Sequence, residues 1–236
     1  MPEQQLIVDR RSIAAVAVVF AGLVQFVICL YLAVENFPGD YSFNGHFLSD
    51  LGRSDHPSAP FFNTSIIVLG TCLIVFFTNA FRGDGVVGLM LTGTLSAIGL
   101  IGIGLTPLNT HFVEHHIFLV LWLGPMLLMV WFSMAVFVRR SAFLAVVAGS
   151  ALATLTMLYV TSARTDDAPF YQKIVVVAAF FWLAVISYYS MFAAVQQVMA
   201  IRFGDDRATQ RYLERLETRG MYSQDGRKSG NQYRGR

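Results

Sequence analysis

The sequence predicts an all-α integral membrane protein: a bundle of six transmembrane helices with both termini cytoplasmic and a structured first outer loop. Three observations carry that expectation. Of 236 residues, 55% are apolar and only 14% charged, against roughly 25% charge in an ordinary soluble domain, and the mean hydropathy is +0.56. Six uncharged runs occupy residues 12–34, 61–80, 85–106, 117–138, 141–163 and 174–200, each long enough to cross a hydrocarbon core about 30 Å thick. None alternates polar with apolar residues as a barrel strand would, so helices are the spanning structure that satisfies the backbone.

The first run, Ser12–Val34, exceeds the apolar region of a secretory signal and lacks a small-residue cleavage site before Glu35, so it reads as a retained anchor. The second, Phe61–Ala80, is reached through Pro57 and Pro60. The third, Gly85–Thr106, carries Gly85, Gly88, Gly93, Gly99, Gly102 and Gly104, with Gly93 and Ala97 at small-xxx-small spacing. The fifth, Ser141–Ala163, repeats the device with Ala145, Gly149 and Ala153. Lipid removes the hydrophobic drive between helices, and close backbone approach replaces it, so these two spans are expected in the interior. The same Gly- and Ala-rich faces could serve a homo-oligomer. In the fourth run, Ile117–Val138, Gly124-Pro125 predicts a kink. Pro169 would open the sixth, Ile174–Ala200, and Trp122, Trp131 and Trp182 read as packing or lipid-facing residues. Cys29 and Cys72 fall at different depths and read as small buried hydrophobes rather than a disulfide.

The membrane domain is therefore residues 1–203, and composition changes sharply after it. Asp205–Arg219 has the charge spacing of a short cytoplasmic helix, and Gly220–Arg236 is polar and of disordered type. The nine basic residues after Ala200 are dispersed among five acidic ones, a pattern that implies no nucleic-acid partner. Membrane lipids are the expected partners.

Orientation follows from the basic residues. Arg10, Arg11, Arg82, Arg139, Arg140 and the nine after Ala200 fall on one side, and Arg53, Arg164 and Lys173 on the other. That bias predicts cytoplasmic termini, with segments 35–60, 107–116 and 164–173 outside.

No Asp, Glu, Lys, Arg or His occurs inside the six runs, which ranks a transporter third, because coupled transport places ionisable groups in the membrane. Gln25, Gln196 and Gln197 read as interhelical hydrogen-bonding residues. All five histidines instead fall on the predicted outer side, together with seven carboxylates. The segment His111-Phe-Val-Glu114-His115-His116 would place His111 and His115 one turn apart on a helix, a spacing that could grip zinc or another divalent metal with His116 nearby. It also follows the H-x-x-E-H order of inverzincins. The plainer reading is a hydrated helix entrance, with Asn109 or Thr110 as N-cap and Glu114 favoured in the first turn.

The first outer loop has an apolar edge, Phe43, Phe47, Leu48 and Leu51, and a polar one, His46, Ser49, Asp50 and Arg53. A short interfacial helix ending at Gly52 fits, in which Asp50 pairs with Arg53 and caps its own helix. Asn63 would enter the second span one turn inside the interface. In the functional reading, His46, Asp50 and His56 point into a cup closed by the 111–116 segment. Asp166 and Asp167 sit just ahead of Pro169, where a helix N-terminus favours them, and could complete a metal site.

Leu48-Ser49-Asp50-Leu51-Gly52, then Pro60-Phe61-Phe62-Asn63, then Gly102-Ile-Gly104-Leu-Thr-Pro107-Leu-Asn109 with a following His115, resemble the prokaryotic membrane family catalogued as domain of unknown function 998. The resemblance covers roughly residues 12–200. That family is more distantly similar to DRAM-like and GPI-lipid-remodelling membrane proteins. The resemblance implies a six-helix fold with grouped polar residues on the non-cytoplasmic side, and no activity.

The first functional expectation is thus an outward-facing polar cup that binds or senses a lipid headgroup or another amphiphile, without a required cofactor. The second is a metal-dependent membrane hydrolase or lipid-modifying enzyme in which the outer His and Asp residues hold a metal that activates water.

Overall fold

A computed structural model describes residues 2–81, 87–136, 139–162 and 165–202; the side chains of 2–12, 133–136, 139–146, 148, 189 and 191–202 fall outside that description. The expectations placed on the 204–236 tail, on Arg82 and on Arg164 therefore lie outside the described residues.

Among the described residues six helices run in chain order: α1 (Pro2–Glu35), α2 (Ala59–Ala80), α3 (Val87–Leu105), α4 (Phe112–Val136), α5 (Arg139–Thr161) and α6 (Ala168–Arg202). A short 3-10 helix, Leu48–Gly52, lies in the loop between α1 and α2. Among the described residues no strand occurs. Five helices are long and apolar enough to cross a membrane, over Ile13–Glu35, Ala59–Ala80, Val87–Leu105, Phe112–Phe132 and Ala168–Tyr188, and the described apolar part of α5 is the shorter Gly149–Thr161. Large side chains such as Val27, Tyr31, Leu91, Val120, Trp131, Val177 and Phe181 face outward, Trp131 with 72% of its surface exposed. An apolar exterior of that extent suits lipid as its solvent.

Each helix packs on its neighbour in sequence, and α6 returns to pack against α1, so the bundle closes into a ring. Glycines set the closest approaches. A Cβ on Gly99 of α3 would lie 2.4 Å from the backbone N of Trp122 in α4, and one on Gly70 of α2 would lie 2.9 Å from the carbonyl of Ala97. Gly93 and Gly102 leave room for the rings of Phe77 and Phe118, and Gly149 of α5 makes room for Val130. The Ser96 hydroxyl then donates across the α3–α4 seam to the Trp122 carbonyl at 2.8 Å. Trp122 and Trp182 are buried in this packing. Both cysteines are free: Cys72 abuts Gly22 where α1 crosses α2, and Cys29 accepts from Gln25 of its own helix.

Five helices begin before their uncharged runs, and two of these early starts bear on the loop end. The fourth starts at Phe112 rather than 117, and the sixth at Ala168 rather than 174, so His115, Gln172 and Lys173 lie inside helices. An apolar-run criterion stops at the first ionisable residue, whereas backbone geometry starts the helix. A turn in which the Pro107 carbonyl accepts from Thr110 and His111 launches α4, and Pro169 stands in the first turn of α6, where its missing N–H costs nothing. Pro125 lies within a continuous α4.

Substituting Gly99→Ala should lower stability in detergent by about 1–3 kcal/mol, because the added methyl meets backbone that cannot swing aside. Gly124→Ala, with nothing within 4 Å of its Cβ, should be neutral or slightly stabilising. Thermal or dodecyl-sulfate unfolding of the two variants, compared with the parent, checks the contrast.

Candidate functional site

The ring encloses a cavity at the end of the bundle that carries the α1–α2, α3–α4 and α5–α6 connections. Its walls come from five helices, including Phe26 of α1, Ile66 of α2, Ile103 of α3, Trp122 of α4 and Phe180 of α6, and the 3-10 helix roofs it with Leu48 and Ser49. Three polar side chains line it: Ser49, His115 and Gln172.

The roof is held by the first turn of α6. Lys173 is only 3% exposed, and its ammonium donates to the carbonyls of Phe43 at 2.6 Å, of His46, and of Pro169 at 3.2 Å. An ammonium has three protons and no acceptor, so this cage uses all of its capacity. The same Nζ lies 5.4 Å and 5.0 Å from the ring centroids of Tyr41 and Phe43, within cation–π range. Beside it, the Gln172 side-chain carbonyl accepts from the Leu48 N–H at 2.7 Å, and its amide also engages the Tyr159 hydroxyl.

The loop is tied internally as well. Gly39, at φ +86°, turns the chain in the left-handed region that favours glycine. Phe37 then packs against the rings of Tyr41, His46 and His56 at 5.3, 5.0 and 5.1 Å between centroids. Burial, and secondarily the Asp50 carboxylate, pushes the Tyr41 phenol up, so it stays protonated. Asp50 accepts from the Phe47 N–H at 2.7 Å, capping the 3-10 helix, which ends at Gly52 as expected. A side chain at Gly52 would collide with Asn63, whose amide donates to the Gly52 carbonyl at 2.9 Å.

The expected Asp50–Arg53 pair does not form. Arg53 makes a bidentate pair with Asp55 at 3.0 and 3.2 Å, because the chain leaves the 3-10 helix at Arg53 in an extended conformation that brings Asp55 alongside. The guanidinium hydrogen bond holds the Asp55 carboxyl below the usual carboxylate range. Asn109 does not cap α4 either: its amide reaches the Ser54 N–H and hydroxyl at 3.0 Å each and Asp55 at 3.2 Å, joining the α3–α4 turn to the first loop. Thr110 donates back to Pro107.

Of the sequence-selected residues, the cavity gathers only two. Ser49 is 9% exposed and His115 5%. The His115 Nδ1 lies 2.7 Å from the Thr106 carbonyl, an acceptor only, so Nδ1 carries the proton and Nε2 keeps its lone pair. His46 accepts the Ser42 N–H at Nδ1, and His56 donates from Nδ1 to the Asp50 carbonyl, so both are spent on the loop. His111, Glu114, His116, Asp166 and Asp167 are exposed, with His116 turned back on the Phe112 carbonyl.

The fit to a metal can be tested on these positions. Among the described residues no three His, Cys, Asp or Glu side chains converge to hold an ion. His111 and His116 face away from the cavity that His115 enters, and the expected ligand set is not assembled. Gln172 and Lys173 were not selected from sequence; the signal for Gln172 was its spacing with Val176 and Phe180, one face of α6 at i, i+4 and i+8. No family model, curated protein or solved structure matches the chain.

Lys173→Met should leave two loop carbonyls and that of Pro169 without their donor. Hydrogen bonds to charged groups are each worth about 1.5–3 kcal/mol, so amides of residues 41–53 should exchange at least tenfold faster in deuterium-exchange mass spectrometry, while the middle of α3 stays protected. Unchanged protection of the loop would refute the cage.

Proposed function

We propose that this chain is a six-span membrane protein that binds or senses an amphiphile in the cavity under the 3-10 helix, with the polar head at Ser49 and His115 and the chain along the apolar wall. One observation carries the reading. Polar groups occur at the loop end of the cavity, where Ser49 and His115 have no hydrogen-bond partner at Oγ and Nε2 among the described residues, and the rest of the lining is hydrocarbon and aromatic. That division matches an amphiphile's own. A site of this kind needs a mostly apolar wall and a few placed polar groups.

The basic-residue bias supports placing the loop end outside the cytoplasm, with both termini inside; a prokaryotic plasma membrane is what the family resemblance implies. The resemblance to the family of domain of unknown function 998 is consistent with polar residues grouped at that end. The expected metal-dependent hydrolase lacks an assembled ligand set among the described residues, so amphiphile binding is preferred.

Mass spectrometry of lipids retained by the purified protein tests the binding reading. Leu119→Trp fills the cavity wall, and retained amphiphile should fall several-fold relative to the parent, with a similar melting temperature. Equal retention would sink the reading. For topology, a Ser54→Cys variant on a Cys29→Ala, Cys72→Ala background should react in intact cells with a membrane-impermeant maleimide. Labelling only after lysis would reverse the orientation.

A further inference from the structure

We propose that the cavity selects an amphiphile whose head is one small uncharged hydroxyl group, as in a long-chain primary alcohol, and rejects phosphate and carboxylate heads. The inference rests on the amphiphile-binding reading above and names the class of ligand.

Size is the first argument. The cavity holds about 40 Å³, and one water needs roughly 10–15 Å³ measured in the same way. That space takes a hydroxymethyl head and the first carbons of its chain, whose remainder must pass out between the helices; a phosphoglycerol or phosphocholine head does not fit.

Charge is the second. Among the described residues no cationic side chain lines the cavity. The nearest buried cation, the Lys173 ammonium, has its three protons committed to backbone carbonyls, and Arg53 is paired with Asp55 on the surface of the loop. Asp50 lies close enough to act electrostatically on both Tyr41 and Lys173, so the roof also carries a carboxylate. An anionic head would be desolvated there with no counter-charge, a cost of several kcal/mol that neutral donors only partly offset.

Hydrogen-bond polarity is the third. His115 carries no counter-ion beside it, and a buried imidazolium would be equally uncompensated, so the ring is neutral. With Nδ1–H given to Thr106, Nε2 can only accept. The ligand must bring a donor. Ser49 can donate to or accept from the same group, and Gln172, whose carbonyl is engaged by Leu48, offers only its amide N–H donors. A hydroxyl donates one hydrogen bond to Nε2 and accepts one from Ser49 Oγ. A carboxylate or phosphate diester can donate none.

The test uses Trp122, which lines the cavity, as reporter in the full chain with the outward-facing Trp131 replaced by Phe. The protein is placed in phosphatidylcholine nanodiscs and titrated with four brominated probes: 9,10-dibromooctadecanol at pH 7 and, as the control for the carboxylate, at pH 9; its methyl ether; 9,10-dibromostearate at pH 9; and a phosphatidylglycerol with dibromostearoyl chains. The alcohol should give saturable quenching at a mole fraction roughly three- to tenfold below the methyl ether, the ratio expected for one net hydrogen bond. The two anions should not saturate. Adding Trp122→Phe should remove the saturable component, which ties the signal to the cavity. Equal saturable quenching by all four probes, or preference for either anion, overturns the selectivity and leaves amphiphile binding standing. No Trp122-dependent quenching by any probe overturns both.

Discussion

The ammonium of Lys173 in its cage of three carbonyls is the interaction on which the loop end of this protein depends. Two of those carbonyls, from Phe43 and His46, belong to a loop more than 120 residues away in sequence, and the third, from Pro169, belongs to the lysine's own helix. The bond set therefore fixes the first loop to the start of α6. Burial strengthens it, since a low-dielectric surround raises the electrostatic value of each N–H···O contact and the cost of leaving any one unmade. Gln172, one residue earlier, repeats the connection at the Leu48 amide. Together the two side chains hold the 3-10 helix over the cavity, and that placement brings Ser49 to face His115.

Below the roof a different constraint rules. Between helices in lipid there is no hydrophobic drive, so association depends on how closely surfaces can approach. The glycines of α3 are distributed around the helix for that reason: Gly93 admits a ring from α2, while Gly99 and Gly102 admit the backbone and a ring of α4. α3 is the span with the largest buried share. The tight α2–α3–α4 wall is the rigid side of the cavity, and α1 and α6 complete the circle around Phe26, Val176 and Phe180.

The class of fold was legible in the uncharged runs because the cost of a charge in hydrocarbon is a strong local rule. Helix starts were less so. Lys173 reads in sequence as a loop base, because a solvated lysine and a lysine caged by distant carbonyls look identical there. The same limit explains the cup. His46, Asp50 and His56 have the residue types of a site, yet a 3-10 helix and a tight aromatic loop use their polar atoms on neighbouring backbone. Ser49 and His115 line the cavity because their elements turn them inward, and that depends on the pairing of segments far apart in the chain. The local spacing that paired His111 with His115 puts their Cα atoms one turn apart, but it says nothing about which is exposed; α4 packs only one of them against the bundle.

His115 joins the structural and chemical requirements in a single bond. The helix α3 stops at Leu105, and the N–H groups of Thr110 and His111 go to the Pro107 carbonyl, so the carbonyl of Thr106 is one of the orphan acceptors at a helix C-terminus. Left buried and unpaired it would cost about 1–3 kcal/mol. His115 satisfies it from the next helix, fixing the angle at which α4 enters the bundle. The same bond fixes the imidazole tautomer and leaves a lone pair in the cavity. A replacement that kept only the packing would lose both the cap of α3 and the acceptor. Glutamine could restore the cap through its amide N–H and still present a carbonyl oxygen, but on a longer, more flexible stem that no ring holds in plane. The neutral, accepting character of the cavity's polar end is thus set by how α3 terminates, one turn before the site begins.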